Sequence, residues 1–119
     1  MTGDSKGAFL SDEFWKLGVF HEEAKEYDAA IDAYEGAAVL KNLDAIINLA
    51  NILDDYAIPK NPQRAVKLYK VAVKMGYDVA AYNLAIHYRN VGFRRWYIYW
   101  LRVAAEMNNS DALKEIRNL

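Results

Sequence analysis

The chain has 119 residues, 54% of them hydrophobic, with two prolines, six glycines and no cysteine, which fits one globular domain and excludes a disulfide framework, a thiolate metal site and a cysteine nucleophile. A formal charge of −1 conceals a polarity along the sequence: residues 1–60 carry 5 Lys/Arg against 12 Asp/Glu, a balance of −7, and residues 61–119 carry 10 against 4, a balance of +6. A uniformly basic surface is therefore excluded, nucleic acid is disfavoured as a partner, and the longest apolar run, residues 96–101, is far too short to span a bilayer, so a soluble cytoplasmic protein is expected.

Beyond a mostly polar stretch of ten residues, the first helix is predicted over 12–24, with Ser11 as N-cap and Leu10 and Trp15 placed as a hydrophobic staple. It contains Phe14-Trp15-Lys16-Leu17-Gly18. The second, 28–41, has Asp28 as its capping residue and contains Ala33-Tyr34-Glu35-Gly36-Ala37. The third, 44–56, contains Ile46-Ile47-Asn48-Leu49-Ala50. Asn61-Pro62, an N-cap followed by proline at the first helical position, opens the fourth at 62–75, with Leu68-Tyr69-Lys70-Val71-Ala72 inside it. Gly76 ends that helix and Asp78 starts the fifth, 78–90, with Ala81-Tyr82-Asn83-Leu84-Ala85. The sixth, 94–107, contains Trp100-Leu101-Arg102-Val103-Ala104; Asn108 with Ser110 or Asp111 then repeats the Gly76/Asp78 arrangement before a last helix at 110–118.

These segments repeat. Leu17, Leu49 and Leu84, each followed by a small residue and read as core residues, are 32 and 35 residues apart, and Tyr34, Tyr69 and Leu101 are 35 and 32 apart. Three additional residues therefore enter between the two helices of the second pair, at Pro59-Lys60-Asn61-Pro62, and a length change confined to one loop is cheap in closure entropy. The Asp111-to-Ile116 segment matches residues 44–49 and reads as half a repeat. Gly18, Ala50 and Ala85 let the second helix of each pair approach the first, with Tyr34, Tyr69 and Leu101 as fillers.

Ala45-x3-Leu49-Ala50, Pro62-x2-Arg64-Ala65-x3-Tyr69-x2-Ala72 and Trp100-x3-Ala104-Ala105-Glu106 resemble Sel1-like repeats, a branch of the tetratricopeptide-like superfamily. Leu17-Gly18 with Tyr27-x2-Ala30-x3-Tyr34-x2-Ala37 is similar to an ordinary tetratricopeptide unit. Two departures stand out: the glycine-rich loop of Sel1-like repeats is reduced to Gly92, and Tyr97 replaces the alanine found at 30 and 65. The resemblance implies an all-α, right-handed α-α superhelical solenoid of three helix hairpins (about 12–43, 44–77 and 78–110) plus a C-terminal capping helix, 111–119, in a single repeat domain.

Signals for chemistry are weak. His21-Glu22-Glu23-Ala24-Lys25 begins like a zinc-protease helix but has lysine where the second histidine is needed, so His21 is read as a packing or capping residue, and no metal, cofactor or catalytic residue is assigned. Asp54 and Asp55 are adjacent and point about 100° apart on a helix, unlike an acid/base pair. Trp96, Tyr97 and Trp100 beside Arg94 and Arg95 have the composition of a stacking platform for single strands, yet Tyr97, Trp100, Leu101 and Ala104 follow the i, i+3, i+4, i+7 spacing of a buried stripe.

The resemblance implies that the first helix of each hairpin lines a concave surface. The faces so selected are Asp12, Trp15, Val19 and Glu22; Asp44, Ile47, Asn51 and Asp54; and Val79, Tyr82, Ile86 and Arg89, each an i, i+3, i+7, i+10 set. They offer an apolar centre with a charged rim, which is interface anatomy. The expected function is non-catalytic binding of a protein with a basic surface, and the resemblance implies a stoichiometric inhibitor such as an immunity protein for a toxin or nuclease. The alternatives are an adaptor and an RNA binder using Arg89, Arg94, Arg95 and Arg102.

Overall fold

The computed structural model describes residues 2–119, with side chains from Lys6 onward, and has seven α-helices and no strand among the described residues. They are α1 (Thr2–Glu23), α2 (Tyr27–Val39), α3 (Leu43–Asp55), α4 (Pro62–Lys74), α5 (Asp78–Asn90), α6 (Arg94–Glu106) and α7 (Ser110–Arg117). None is long and apolar enough to cross a membrane, among the described residues.

Five connections are built alike. Each preceding helix ends on a residue of positive φ: Lys25 (60°), Lys41 (62°), Gly76 (88°), Gly92 (87°) and Asn108 (66°). At Gly76 the backbone N–H donates to Val73 C=O at 2.9 Å and the N–H of Tyr77 donates to Ala72 C=O at 3.0 Å, which satisfies two carbonyls that the helix end would leave open. Glycine adopts this left-handed conformation freely, whereas lysine at 25 and 41 holds it against a steric penalty. The turn residues recur every 16 positions from 25 to 41 and from 76 through 92 to 108, but 35 positions separate 41 from 76. The three residues beyond two regular modules sit between α3 and α4, where the sequence places its insertion and where the Ile58–Pro59 peptide is cis.

Asparagines open three of the helices. The Asn42, Asn61 and Asn109 side-chain oxygens accept from the backbone N–H of Ala45, Arg64 and Ala112 at 2.9, 3.2 and 2.9 Å. Three expected caps are corrected. Ser11 does not begin α1, which starts nine residues earlier; no proline interrupts that stretch, and the buried Ser11 hydroxyl instead accepts from Asn42 Nδ2 at 2.9 Å. Glu26 occupies the N-cap position of α2, leaving Asp28 in the first turn, where its charge suits the helix dipole. Asn109, and neither Ser110 nor Asp111, caps α7.

The chain gathers into two compact units, Met1–Leu68 and Tyr69–Leu119. In the first, α1 packs on α2, and α3 packs on both. Tyr34 is fully buried, and its ring lies so close to Gly18 that a Cβ there would sit 2.4 Å from Cδ1 and Cε1. The Tyr34 hydroxyl donates to Glu22 Oε1 at 2.7 Å and accepts from Asn48 Nδ2 at 3.0 Å, joining α1, α2 and α3. Burial, and then the Glu22 carboxylate, push this phenol well above its ordinary range. Arg64 grips Glu35 through both guanidinium branches at 2.9 and 2.5 Å, holding the start of α4 to α2. Leu17 corrects an expectation: Leu49 is fully buried, whereas Leu17 is 47% exposed. The inward face of α1 runs through Ser11 and Gly18, and Leu17 lies about 100° round the helix from Gly18.

In the second unit the core consists of Ala81, Ala85, Tyr97, Leu101, Ala104 and Ala112, with Val73, Tyr82, Tyr88, Trp100 and Ile116 packed against it. The short helix α7 thus contributes Ala112 and Ile116 to the surface that α5 and α6 bury. Asn109 Nδ2 also donates to Asp78 Oδ2 at 2.8 Å, across the same separation of 31 residues as Asn42 to Ser11.

Candidate protein-binding faces

In the first unit, Asp12 is exposed on α1 and pairs with Lys16 at 3.0 Å, while Trp15 and Val19 are half-buried beside it. The Trp15 indole nitrogen is enclosed without an acceptor. Glu22 is half-buried and engaged by Tyr34. On α3, Asp44 is exposed in the first turn, Asn51 and Asp54 are half-buried, and Ile47, only 5% exposed, belongs to the core. The structure therefore brings Asp12, Trp15 and Val19 together on one face of α1, beside the helix that carries Asp44, Asn51 and Asp54.

In the second unit, Tyr82, Ile86 and Val79 are half-buried on α5 and Arg89 is exposed. Tyr82 and Arg89 are held by a residue that periodicity did not single out. The Glu115 carboxylate on α7 accepts from Tyr82 at 2.9 Å, from Arg89 Nη1 at 3.3 Å and from the Tyr97 hydroxyl. The Arg89 guanidinium also lies 6.0 Å from the Tyr97 ring centroid. Burial first and the Glu115 contact second raise the Tyr82 phenol to about 12, and the same two causes raise Tyr97. Three donors from α5 and α6 thus converge on one acceptor of α7.

His21 Nδ1 lies 2.9 Å from Glu26 Oε1, a side-chain contact across the turn that follows α1, and His87 is buried with its ring edge-on to Tyr88. Among the described residues no group of three or more His, Cys, Asp or Glu side chains could hold a metal ion. On α6, Tyr97, Leu101 and Ala104 are buried as the stripe predicts and Trp100 is half-buried. Trp96 and Tyr99 are exposed on the other side, next to an open groove of 750 Å³ lined by Arg94, Arg95, Tyr99 and Arg102. Trp96 meets Tyr99 at 81° and Tyr99 meets Trp100 at 87°, so these rings stand edge to face and form no parallel platform for successive bases. A signal for this outer patch was present in the i, i+3, i+7 spacing of Trp96, Tyr99 and Val103.

No protein-family model matches this chain, and no curated protein matches it. Among solved structures, the crystal structure of MamA is similar, with a TM-score of 0.72 and 24% identity over 86% of this chain. The match covers 60% of the MamA chain, so this chain spans less than two thirds of that protein. A likeness at this identity establishes the fold, an all-α helical-repeat solenoid of three helix hairpins and a C-terminal capping helix.

Proposed function

We propose that this chain is a non-catalytic protein-interaction module of the Sel1-like kind and, more narrowly, a stoichiometric inhibitor that masks one basic protein, in the manner of an immunity protein against a toxin or nuclease. The observation that carries this is the make-up of the first unit's exposed face: Asp12 and Asp44 project on neighbouring first helices beside half-buried Trp15 and Val19. An apolar centre with an acidic rim suits a partner that brings lysine or arginine to the rim and an apolar group to the centre. The −7 balance of residues 1–60 would accelerate encounter with such a partner. In the second unit Tyr82, Ile86 and Arg89 are the corresponding contact residues, with Glu115 setting the first and last in place.

Affinity capture with the wild type, Trp15→Ala and Asp12→Lys/Asp44→Lys tests the proposal. One basic protein should be recovered in equimolar amount by the wild type and lost by both variants. Equal recovery by all three rejects the acidic face, and simultaneous recovery of several partners favours an adaptor over an inhibitor.

A further inference from the structure

We infer that the solvent-exposed face of α6 is a second interaction surface, opposite in charge to the acidic face, and that its occupant is an acidic segment of a partner protein with an apolar side chain between its carboxylates. Arg94, Arg95 and Arg102 line the 750 Å³ groove along this face together with Ile98, Tyr99 and Val103, and Glu106 stands at its C-terminal end. At 100° per residue, Arg95, Ile98, Tyr99, Arg102 and Glu106 fall within an arc of about 100°, across the helix from the buried Tyr97, Leu101 and Ala104. Arg64 and Arg89 each hold a carboxylate, whereas Arg94, Arg95 and Arg102 form no ion pair among the described residues.

Charge and ring geometry select the occupant. Arg95 and Arg102 stand seven residues apart, about 10 Å along the axis, with Ile98 and Tyr99 between them. A ligand laid along the groove therefore meets positive, apolar and positive groups in order, and carboxylates flanking one apolar group complement that order. A guanidinium takes a carboxylate through two parallel hydrogen bonds. Exposed ion pairs contribute little by themselves, so the apolar floor has to supply the rest of the binding. Ile98 and Val103 are half-buried, and Tyr99 (51%) is exposed beside Trp96 (48%). Phe93 (59%) extends the patch through Tyr88, with ring centroids 6.5 Å and then 6.3 Å apart from Phe93 to Tyr88 to Trp96. Tryptophan, tyrosine and arginine are the residue types that carry most of the energy of protein interfaces. A nucleic-acid strand fits less well, because Trp96, Tyr99 and Trp100 stand edge to face and Glu106 lies where a phosphate backbone following the arginines would pass.

Biolayer interferometry of the full chain over three immobilised polymers tests the inference: a random copolymer of glutamate and tyrosine, polyglutamate, and single-stranded polyuridylate. The copolymer should bind most tightly, because it alone offers carboxylates and an apolar ring together. Arg95→Glu/Arg102→Glu should abolish that binding, and Tyr99→Ala should weaken it about tenfold while leaving polyglutamate unchanged. These side chains are exposed, so the variants keep the fold, as circular dichroism melts will verify. Lys70→Glu/Lys74→Glu reverses the same number of charges at exposed positions of α4 that do not line the groove, and it should cost much less. A wild type that ignores the copolymer, or an equal loss in the Lys70/Lys74 variant, overturns the inference. Tighter binding to polyuridylate than to the copolymer overturns it in favour of nucleic acid. None of these results bears on capture of a basic partner by Trp15 and Asp44.

Discussion

Gly18→Ala, compared with Gly7→Ala on the same helix, measures how tightly α1 and α2 are joined. At position 18 the new methyl carbon would lie 2.4 Å from Cδ1 and Cε1 of Tyr34, well inside the roughly 3.5–4.0 Å at which carbon atoms attract. The ring has nowhere to retreat, because it is fully buried and its hydroxyl is held by both Glu22 and Asn48. Overpacking of this kind costs about 1–3 kcal/mol, against which alanine regains about 0.5–1 kcal/mol of helix propensity, so a net loss of about 1–2 kcal/mol is expected. Gly7 has no neighbouring atom within 4 Å of its built Cβ, and there the same substitution should stabilise by about 0.5–1 kcal/mol. Urea denaturation followed by circular dichroism reads both. Gly18→Ala should also cost less in a Tyr34→Leu background, since the clash is then relieved, and that coupling separates contact from propensity. If Gly18→Ala stabilises as Gly7→Ala does, the close approach of α1 and α2 does not exist as described.

Three further outcomes are expected. Glu115→Ala should destabilise the second unit by about 1–3 kcal/mol, measured by denaturant titration, because it strips Tyr82, Tyr97 and Arg89 of a shared acceptor, while Glu115→Gln, which keeps one acceptor oxygen, should cost less. The fold favours the protonated Tyr82 phenol, whose pKa rises from 10.0 to about 12, so its stabilising contribution is complete below pH 10 and is lost as pH climbs towards 12. Denaturation midpoints across that window should fall, and less steeply in Tyr82→Phe. Lys25→Gly and Lys41→Gly should each raise stability by about 0.5–1 kcal/mol in thermal melts, because both lysines hold a left-handed conformation that glycine adopts without strain.

Helix number and order were readable because small and large residues alternate at fixed spacing, and because Gly76, Gly92 and Asn61-Pro62 are residues whose backbone chemistry announces a boundary. Lys25 and Lys41 adopt the same turn conformation as Gly76 and carry no such signal, so the 16-residue module emerged only from the backbone. Ser11 misled for the opposite reason: a residue of capping type served a tertiary bond to Asn42, and the helix ran on past it. Leu17 was assigned inward by matching Leu49, but the residue that meets α2 is Gly18, and a shift of one position turns a side chain by about 100°. Of the candidate contact residues, Ile47 proved to be core, and Tyr82 and Arg89 converge on Glu115, a meeting of α5 with α7 that periodicity within one helix cannot encode.

The repeated positions also show why this fold persists where its sequence signature does not. Asn42 donates to a serine hydroxyl and Asn109 to an aspartate carboxylate across the same 31 residues, so the geometry asks for an acceptor and accepts two chemistries. The left-handed turns ask for a positive φ and are met by glycine, lysine and asparagine. Positions 34, 69 and 101 ask for volume and are met by tyrosine, tyrosine and leucine, all of them buried. Each requirement fixes a shape or a hydrogen-bonding role while leaving residue identity loose. A residue-by-residue profile weakens with every such exchange, whereas the backbone remains superposable, which is the physical basis for a TM-score of 0.72 at 24% identity alongside the lack of a matching family model. Surface residues answer to none of these requirements, so the charges of α1 and the acidic rim of the first unit are free to differ from those of any protein that shares the fold. On the proposed reading, partner specificity is to be sought in Asp12, Trp15 and Asp44 rather than in the repeat motif that made the architecture recognisable.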